Sequence, residues 1–322
     1  MHWRLKGLAQ KGLSIIPGGG HLNDSLQMRY GGLRHFEQNI SEKLEDWRLS
    51  MRYLQQVGFE LDGANLIEIG TGWYPTLPIC FSLVGANRVL TYDITRHLDA
   101  GLTFRMIGAL EPHLDSIAEA GGVRPEDIRA RHHELLQAKD LNTLLEQARV
   151  EYCAPADTRA TGSPPGSADL VYSNSVLEHV PKEVIRSLMN EIMRMLRPGG
   201  LTLHNVGCND HYAFVDRRIS FVNYLRYSEA LWSRWNNRLQ YQNRLRAPEF
   251  LELAAEAGLE VIYKQVAVRP GTREALTTFE VAQEFQRFSL EQMAITTVDF
   301  VAKKPDLHSR SVQSSNQTAS QQ

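Results

Sequence analysis

The chain has 322 residues, 43% of them hydrophobic and 22% charged, the values of an ordinary globular protein with a large core. Its 35 basic and 37 acidic residues leave a net charge of −2, so no overall field draws it to nucleic acid or an anionic membrane. Cys80, Cys153 and Cys208 lie far apart and form no CxxC pair, which argues against a disulfide framework or a cysteine zinc site and for a reducing, cytoplasmic location.

The first residues, MHWRLKGLAQKGLSIIPGGG, mix basic and apolar positions, but Pro17 breaks the apolar run. It is too short for a signal sequence or an integral membrane segment and reads as a helix packed on the body. SEKLEDWRLSMRYLQQVGF spaces Leu44, Trp47, Leu49, Met51 and Leu54 at helical intervals, so residues 1–60 read as an N-terminal helical extension. NLIEI (65–69) is the first strand, residues 76–85 a helix, and RVLTYDI (88–94) the second strand. Residues 96–148 exceed a simple crossover and supply extra helices, with His132 and His133 expected at the surface. RVEYCA (149–154) is the third strand, and a Gly/Pro/Ser loop leads to the fourth, DLVYSN. The next helix has Pro181 near its start and Ile185, Leu188, Ile192 and Leu196 on one face, and RPGG stops it. LTLHNVG is the fifth strand. Residues 209–247, rich in aromatics and arginine, form a partly helical insertion; PEFLELAAEAGL is a helix, and EVIYKQVAV and AITTVDFVAKK close the sheet. The Ser/Gln-rich segment 306–322 is expected to be disordered. The alternation predicts an α/β fold: a doubly wound, mostly parallel, seven-stranded Rossmann-like sheet over 61–305, with N-terminal helices and a helical, aromatic insertion after strand five.

The stretch NLIEIGTGWYPTLP carries the chemistry. In a doubly wound sheet the first strand-to-helix turn comes closest to the ligand, and Gly70 and Gly72 let backbone amides approach it. Asp93, about 20 residues on at the end of the second strand, can accept from both hydroxyls of a ribose. Glu68 precedes the turn, and Tyr74 stands where a dinucleotide fingerprint has its third glycine. A carboxylate there repels a pyrophosphate but suits an ammonium or a sulfonium charge.

IEIGTG, YDI, APADTRA, ADLVYSNSVLEHVP and MLRPGGLTLHNVG together resemble the successive motifs of class I S-adenosylmethionine-dependent methyltransferases, closely over 62–207 and more loosely over 248–303. The resemblance implies S-adenosyl-L-methionine as cofactor. It places Glu68, Gly70, Thr71, Gly72 and Trp73 against the methionine moiety, Asp93 on the ribose and Ile94 on the adenine. Asp157 and Thr158 fall at the adenine amino group, and Asn174 and Ser175 near the transferable methyl. Tyr74 departs from the usual pattern and makes the first helix turn looser or aromatic.

Methyl transfer needs an aligned nucleophile, a base for any proton it carries, and exclusion of water; no metal is required or expected. The base is sought at His211 first, with Asp210 beside it to orient it and raise its pKa, then at His204, with His179 and Glu178 following the fourth-strand motif. A metal held by His204, Asp210 and His211 is a minor alternative. In the insertion, Tyr212, Tyr227, Arg244 and Arg246 are expected to bind a small polar or carboxylate-bearing acceptor, with Trp232 and Trp235 anchoring the segment. The fourth-strand SNSV is not an Asn/Asp-Pro-Pro-aromatic run, which argues against methylation of DNA bases, and no nucleic-acid partner is indicated. The first reading is O-methylation of a sugar or hydroxy acid. S- or N-methylation of a small thiol or amino acid, and a cofactor-binding regulatory subunit that transfers nothing, are the alternatives. The sequence leaves the oligomeric state open.

Overall fold

The structure, a computed structural model, describes residues 2–16 and 35–306, so the tail expected to be disordered lies outside the described residues from 307 onward. Seven strands form one sheet in the order β3-β2-β1-β4-β5-β7-β6. They are β1 (Asn65–Ile69), β2 (Arg88–Tyr92), β3 (Val150–Cys153), β4 (Ala168–Asn174), β5 (Leu196–Gly207), β6 (Glu260–Ala267) and β7 (Thr297–Lys303). The first five run parallel, and β7 is antiparallel to both β5 and β6. Residues 66–69 of β1 are all buried, as a central parallel strand covered on both faces must be.

Before β1 come α1 (Trp3–Ile15) and α2 (Phe36–Gln56). Phe36, Ile40, Leu44, Trp47, Met51 and Leu54 form one buried stripe on α2 and join the core under α3 (Thr76–Leu83). Four helices, α4 (Ala100–Ala109), α5 (Leu114–Gly121), α6 (Pro125–Leu136) and α7 (Leu141–Gln147), fill the long β2–β3 crossover. His132 is buried there and its Nε2 bonds the carbonyl of Ile107 at 2.8 Å, against the expectation of a surface residue. Its neighbours Ile128 and Leu135 share the buried face, so the helical repeat carries it inward.

On the other sheet face, α8 (Lys182–Met195) and α10 (Ala247–Glu256) bury Ile185, Leu188, Ile192, Phe250 and Leu253. Leu196, read from the sequence as the last residue of that helix face, is instead the first residue of β5, and RPGG lies inside the strand. A third cluster caps the carboxyl end of the sheet: Trp3 of α1 packs with Tyr212, Tyr224 and Trp232 of the insertion and with Phe285. The insertion contains two short 3-10 turns, His211–Phe214 and Asn223–Arg226, and α9 (Glu229–Trp232). The short helices α11 (Thr272–Leu276) and α12 (Leu290–Ala294) complete this layer between β6 and β7. Among the described residues, no helix is long and apolar enough to cross a membrane.

Candidate active site

The turn after β1 lies at the carboxyl end of the sheet. Gly70 has φ +86°, and a Cβ there would come within 2.4 Å of the Val176 side chain, so only glycine fits. Gly72 has φ +73° but open space where its Cβ would stand. Its amide donates to Asp93 Oδ2 at 3.0 Å, which fixes the Asp93 carboxylate beside the turn. A carboxylate has about four lone-pair sites, so acceptor capacity remains for ribose hydroxyls.

Glu68, buried at the end of β1, accepts from the Thr91 hydroxyl, and Thr91 in turn bonds Thr71. Burial raises the Glu68 pKa to about 7, opposed by the Thr91 hydrogen bond and the Lys43 ammonium. Lys43, on α2, is half-buried over the Tyr74 ring at 4.9 Å, and desolvation lowers its pKa against the pull of Glu68 and Asp46. The Trp73 ring lies tilted against His97 with centroids 5.2 Å apart, and Ile94, just past β2, is 75% exposed, an apolar surface open to a flat ring. The Ala156 amide donates to the Asp93 carbonyl at 2.9 Å, bringing the 156–158 segment beside Ile94. Asp157 there is paired with Arg159, which holds its carboxyl down at about 2; Thr158 is half-buried next to it.

Beyond the ends of β4 and β5 opens a cavity of about 770 Å³. Asn174 and Ser175 form its inner edge, Ser175 with φ +54° and its amide donating to the Asn205 carbonyl at 2.9 Å. The opposite wall is α2: Asn174 Nδ2 donates to Asp46 Oδ2 at 3.1 Å, and the Tyr53 hydroxyl donates to Asp299 Oδ2 at 3.0 Å. Burial raises the pKa of both Asp46 and Asp299, partly offset for Asp46 by the Asn174 bond. Glu178, His179, His211, Arg52 and Arg269 also line the cavity.

The histidines do not stand as the sequence suggested. His204 is fully buried, its Nδ1 2.7 Å from Ser173 Oγ and its Nε2 2.8 Å from Thr202 Oγ1, and it does not line the cavity. Burial lowers its pKa to about 3, so it is a neutral strand residue with both nitrogens occupied. His211 reaches the cavity, but Asp210 turns away from it to the Tyr212 amide and the Asn223 side chain. Burial first, then His179 and Lys6, lowers the His211 pKa to about 3, the reverse of the expected rise, and buried Asp210 is itself raised to about 7. His204, Asp210 and His211 therefore do not form a ligand set. His179 lines the cavity, its Nδ1 2.7 Å from the Tyr241 carbonyl.

The insertion residues expected at the acceptor are also elsewhere. Arg244 is buried, donates to the carbonyls of Tyr224 and Tyr227, and pairs with Glu229. Arg246 is fully buried, donating to Cys208 O at 2.8 Å, Met293 O at 3.0 Å, Ile295 O and the Tyr224 hydroxyl. Tyr212 and Tyr227 pack in the aromatic cap beside Trp3. None of these four lines the cavity. Both arginines tie the insertion together because a guanidinium is a fork of five donors that matches several carbonyls at once. Sequence reading missed Asp46, Tyr53 and Asp299, whose spacing alone carried no signal of a shared cavity.

The strand order, the glycine turn after β1 and the acid after β2 define the class I methyltransferase fold. A family model described as a methyltransferase domain matches residues 36–264, and the chain belongs to that family. No curated protein matches the chain in sequence. Among solved structures it is similar to a Haemonchus contortus phosphoethanolamine N-methyltransferase 2 bound to phosphomonomethylethanolamine and S-adenosylhomocysteine, with 18% identity and a TM-score of 0.42. That match covers 81% of this chain and 53% of the other, so the chain spans about half the length of the Haemonchus enzyme. A geranyl diphosphate methyltransferase in complex with SAM is 15% identical with a TM-score of 0.45, covering 84% and 90% of the two chains. A SAM-dependent methyltransferase from Methanosarcina mazei is 15% identical with a TM-score of 0.42, covering 79% and 97%.

Proposed function

We propose that this S-adenosylmethionine-dependent methyltransferase transfers a methyl group to a hydroxyl of a small polar molecule bound in the cavity between β4, β5 and α2. The reading is carried by one observation: Asn174, at the edge expected to flank the transferable methyl, holds the Asp46 carboxylate directly against that edge.

The chain's residues fit the cofactor. The Glu68 carboxylate suits the ammonium of the methionine moiety, Gly72 leaves open space beside the turn, Asp93 suits the ribose, and exposed Ile94 suits the adenine face. The cofactor supplies a methyl already activated by a sulfonium. What remains for the protein is alignment, dehydration and proton removal. Asp46 takes the proton of the acceptor hydroxyl as its oxygen gains the methyl. Burial raises the Asp46 pKa, which strengthens its carboxylate as a base. Tyr53, Asn205 and Asp299 give the acceptor further polar partners, and the 209–247 segment closes the far wall through His211 and Phe214. Three carboxyl groups on one cavity, Asp46, Glu178 and Asp299, also suit an amine acceptor, which is the second reading.

Incubation of the protein with methyl-labelled cofactor and a panel of hydroxyl, amine and thiol compounds, with products read by mass, tests this. Labelled methyl ethers are expected; label confined to amines moves the reading to N-methylation, and label confined to thiols or in no small molecule overturns it.

A further inference from the structure

On the cavity wall nearest the insertion, Glu178, His179 and His211 each offer one ligand atom, and these atoms lie within 4.8 Å of one another. Among the described residues they form the one group of three such side chains so arranged. Glu178 is 2% exposed: its Oε1 accepts from the Gly207 amide at 3.1 Å, and its Oε2 is buried with no partner. An orphaned carboxylate oxygen costs free energy unless something else satisfies it. Gly207 makes the room for this carboxylate, since a Cβ there would come within 2.9 Å of Oε1. His179 donates from Nδ1 to the Tyr241 carbonyl, which fixes its tautomer and leaves the Nε2 lone pair free. The His211 ring stands edge-on to it, centroids 5.0 Å apart.

We infer that Glu178, His179 and His211 bind one divalent transition-metal ion of the zinc type, with its open positions turned to the acceptor cavity. Two imidazoles and a carboxylate are a ligand set for Zn²⁺ or Fe²⁺ rather than for Mg²⁺, which prefers oxygen throughout. Bonds of about 2.0–2.2 Å bring such ligand atoms to roughly 3.4 Å from each other, a closure within reach of side-chain rotation. The hydrogen bond from His179 to Tyr241 is the outer-shell contact that metal-bound histidines make. An ion here would bind an acceptor hydroxyl and lower its pKa, making it a stronger acid from which Asp46 takes the proton. That role rests on the reading of the cavity as the acceptor site; metal binding itself does not.

The test uses the full chain, stripped with a chelator and titrated with Co²⁺ followed by visible absorption and with Zn²⁺ followed by calorimetry. One equivalent is expected to bind. Glu178→Gln, His179→Ala and His211→Ala should each weaken binding at least about tenfold, the loss that even outer-shell changes produce. His133→Ala, on the exposed surface, should leave it unchanged. S-adenosylhomocysteine affinity, measured on each protein, reports separately on the fold and the cofactor site. His179 is at the cavity rim, so its variant keeps the test sharp if Glu178→Gln fails to fold. Absence of a bound equivalent, or equal affinity in the His179 and His211 variants, overturns the metal site and leaves the methyltransferase reading standing.

Discussion

Asp46 carries the chemical demand of the proposed reaction, because a hydroxyl is too weakly acidic to ionise alone. Asp46→Asn keeps the size and the contact with Asn174 but cannot take a proton, so kcat should fall by about 10²–10⁴ with S-adenosylhomocysteine affinity within a few-fold. The active form is the carboxylate. Its pKa is raised by burial, so the wild-type rate should climb as pH rises through that raised pKa, and this limb should vanish in the variant. Rate profiles of the two proteins check it; superimposable profiles remove Asp46 as the base. Arg246 makes a contrasting case. Its guanidinium satisfies the carbonyls of Cys208, Met293 and Ile295, so Arg246→Ala should lower stability by at least about 3 kcal/mol in urea unfolding, whatever its effect on acceptor KM. The left-handed turn at Gly70 and Gly72 and the place of Asp93 just past β2 were readable because turn chemistry and strand-end position are written in consecutive letters. Asp46 was not. On α2 it looks like any acid on a helix, and only its position opposite Asn174, 128 residues away, suggests the proposed role.

The turn after β1 and the fifth strand show what an element asks of its residues. Gly70→Ala meets both a left-handed φ and the Val176 side chain, so it should destabilise the fold itself. Gly72→Ala meets only the φ cost of roughly 1 kcal/mol, since nothing stands within 4 Å, and should fold but bind cofactor more weakly. Thermal melts with and without S-adenosylhomocysteine separate the two. On β5, His204 is clamped between Ser173 and Thr202 with its pKa lowered to about 3. Between about pH 6.5 and 3 the unfolded chain therefore binds a proton at this site that the folded chain does not, and stability falls on acidification by about 1.4 kcal/mol per pH unit. His204→Gln removes that loss. The stability gap between wild type and variant should shift by about 2 kcal/mol between pH 6.5 and 5 in favour of the variant, measured by denaturant unfolding. All seven strands were legible from apolar runs bounded by turn residues. The role of His204 was not, because a histidine in a strand reads the same whether it faces a cavity or two hydroxyls.

At the scale of the whole molecule, the carboxyl edge of the sheet is where the parts meet: the glycine turn, the β4 edge, the α2 wall and the aromatic cap. The mostly parallel sheet was legible from strands alternating with helices, although a loop and not a helix joins β3 to β4; the antiparallel course of β7 was not, because an apolar strand reads the same in either direction. The 209–247 segment was recognisable as an insertion but not by its function, since the same aromatics and arginines serve an acceptor pocket or an internal cap equally well. Here they make the cap, with Trp3 buried at its centre and its amide donating to Asp216 at 3.1 Å. The central claim is that this edge holds S-adenosylmethionine against Asp93. Calorimetric titration of the full chain with S-adenosylhomocysteine tests it most directly. One site is expected in the wild type, and in Asp93→Ala an affinity at least about tenfold weaker, because charge-assisted hydrogen bonds of about 1.5–3 kcal/mol each are lost. No binding by the wild type, or equal affinity in the two folded proteins, would contradict the account.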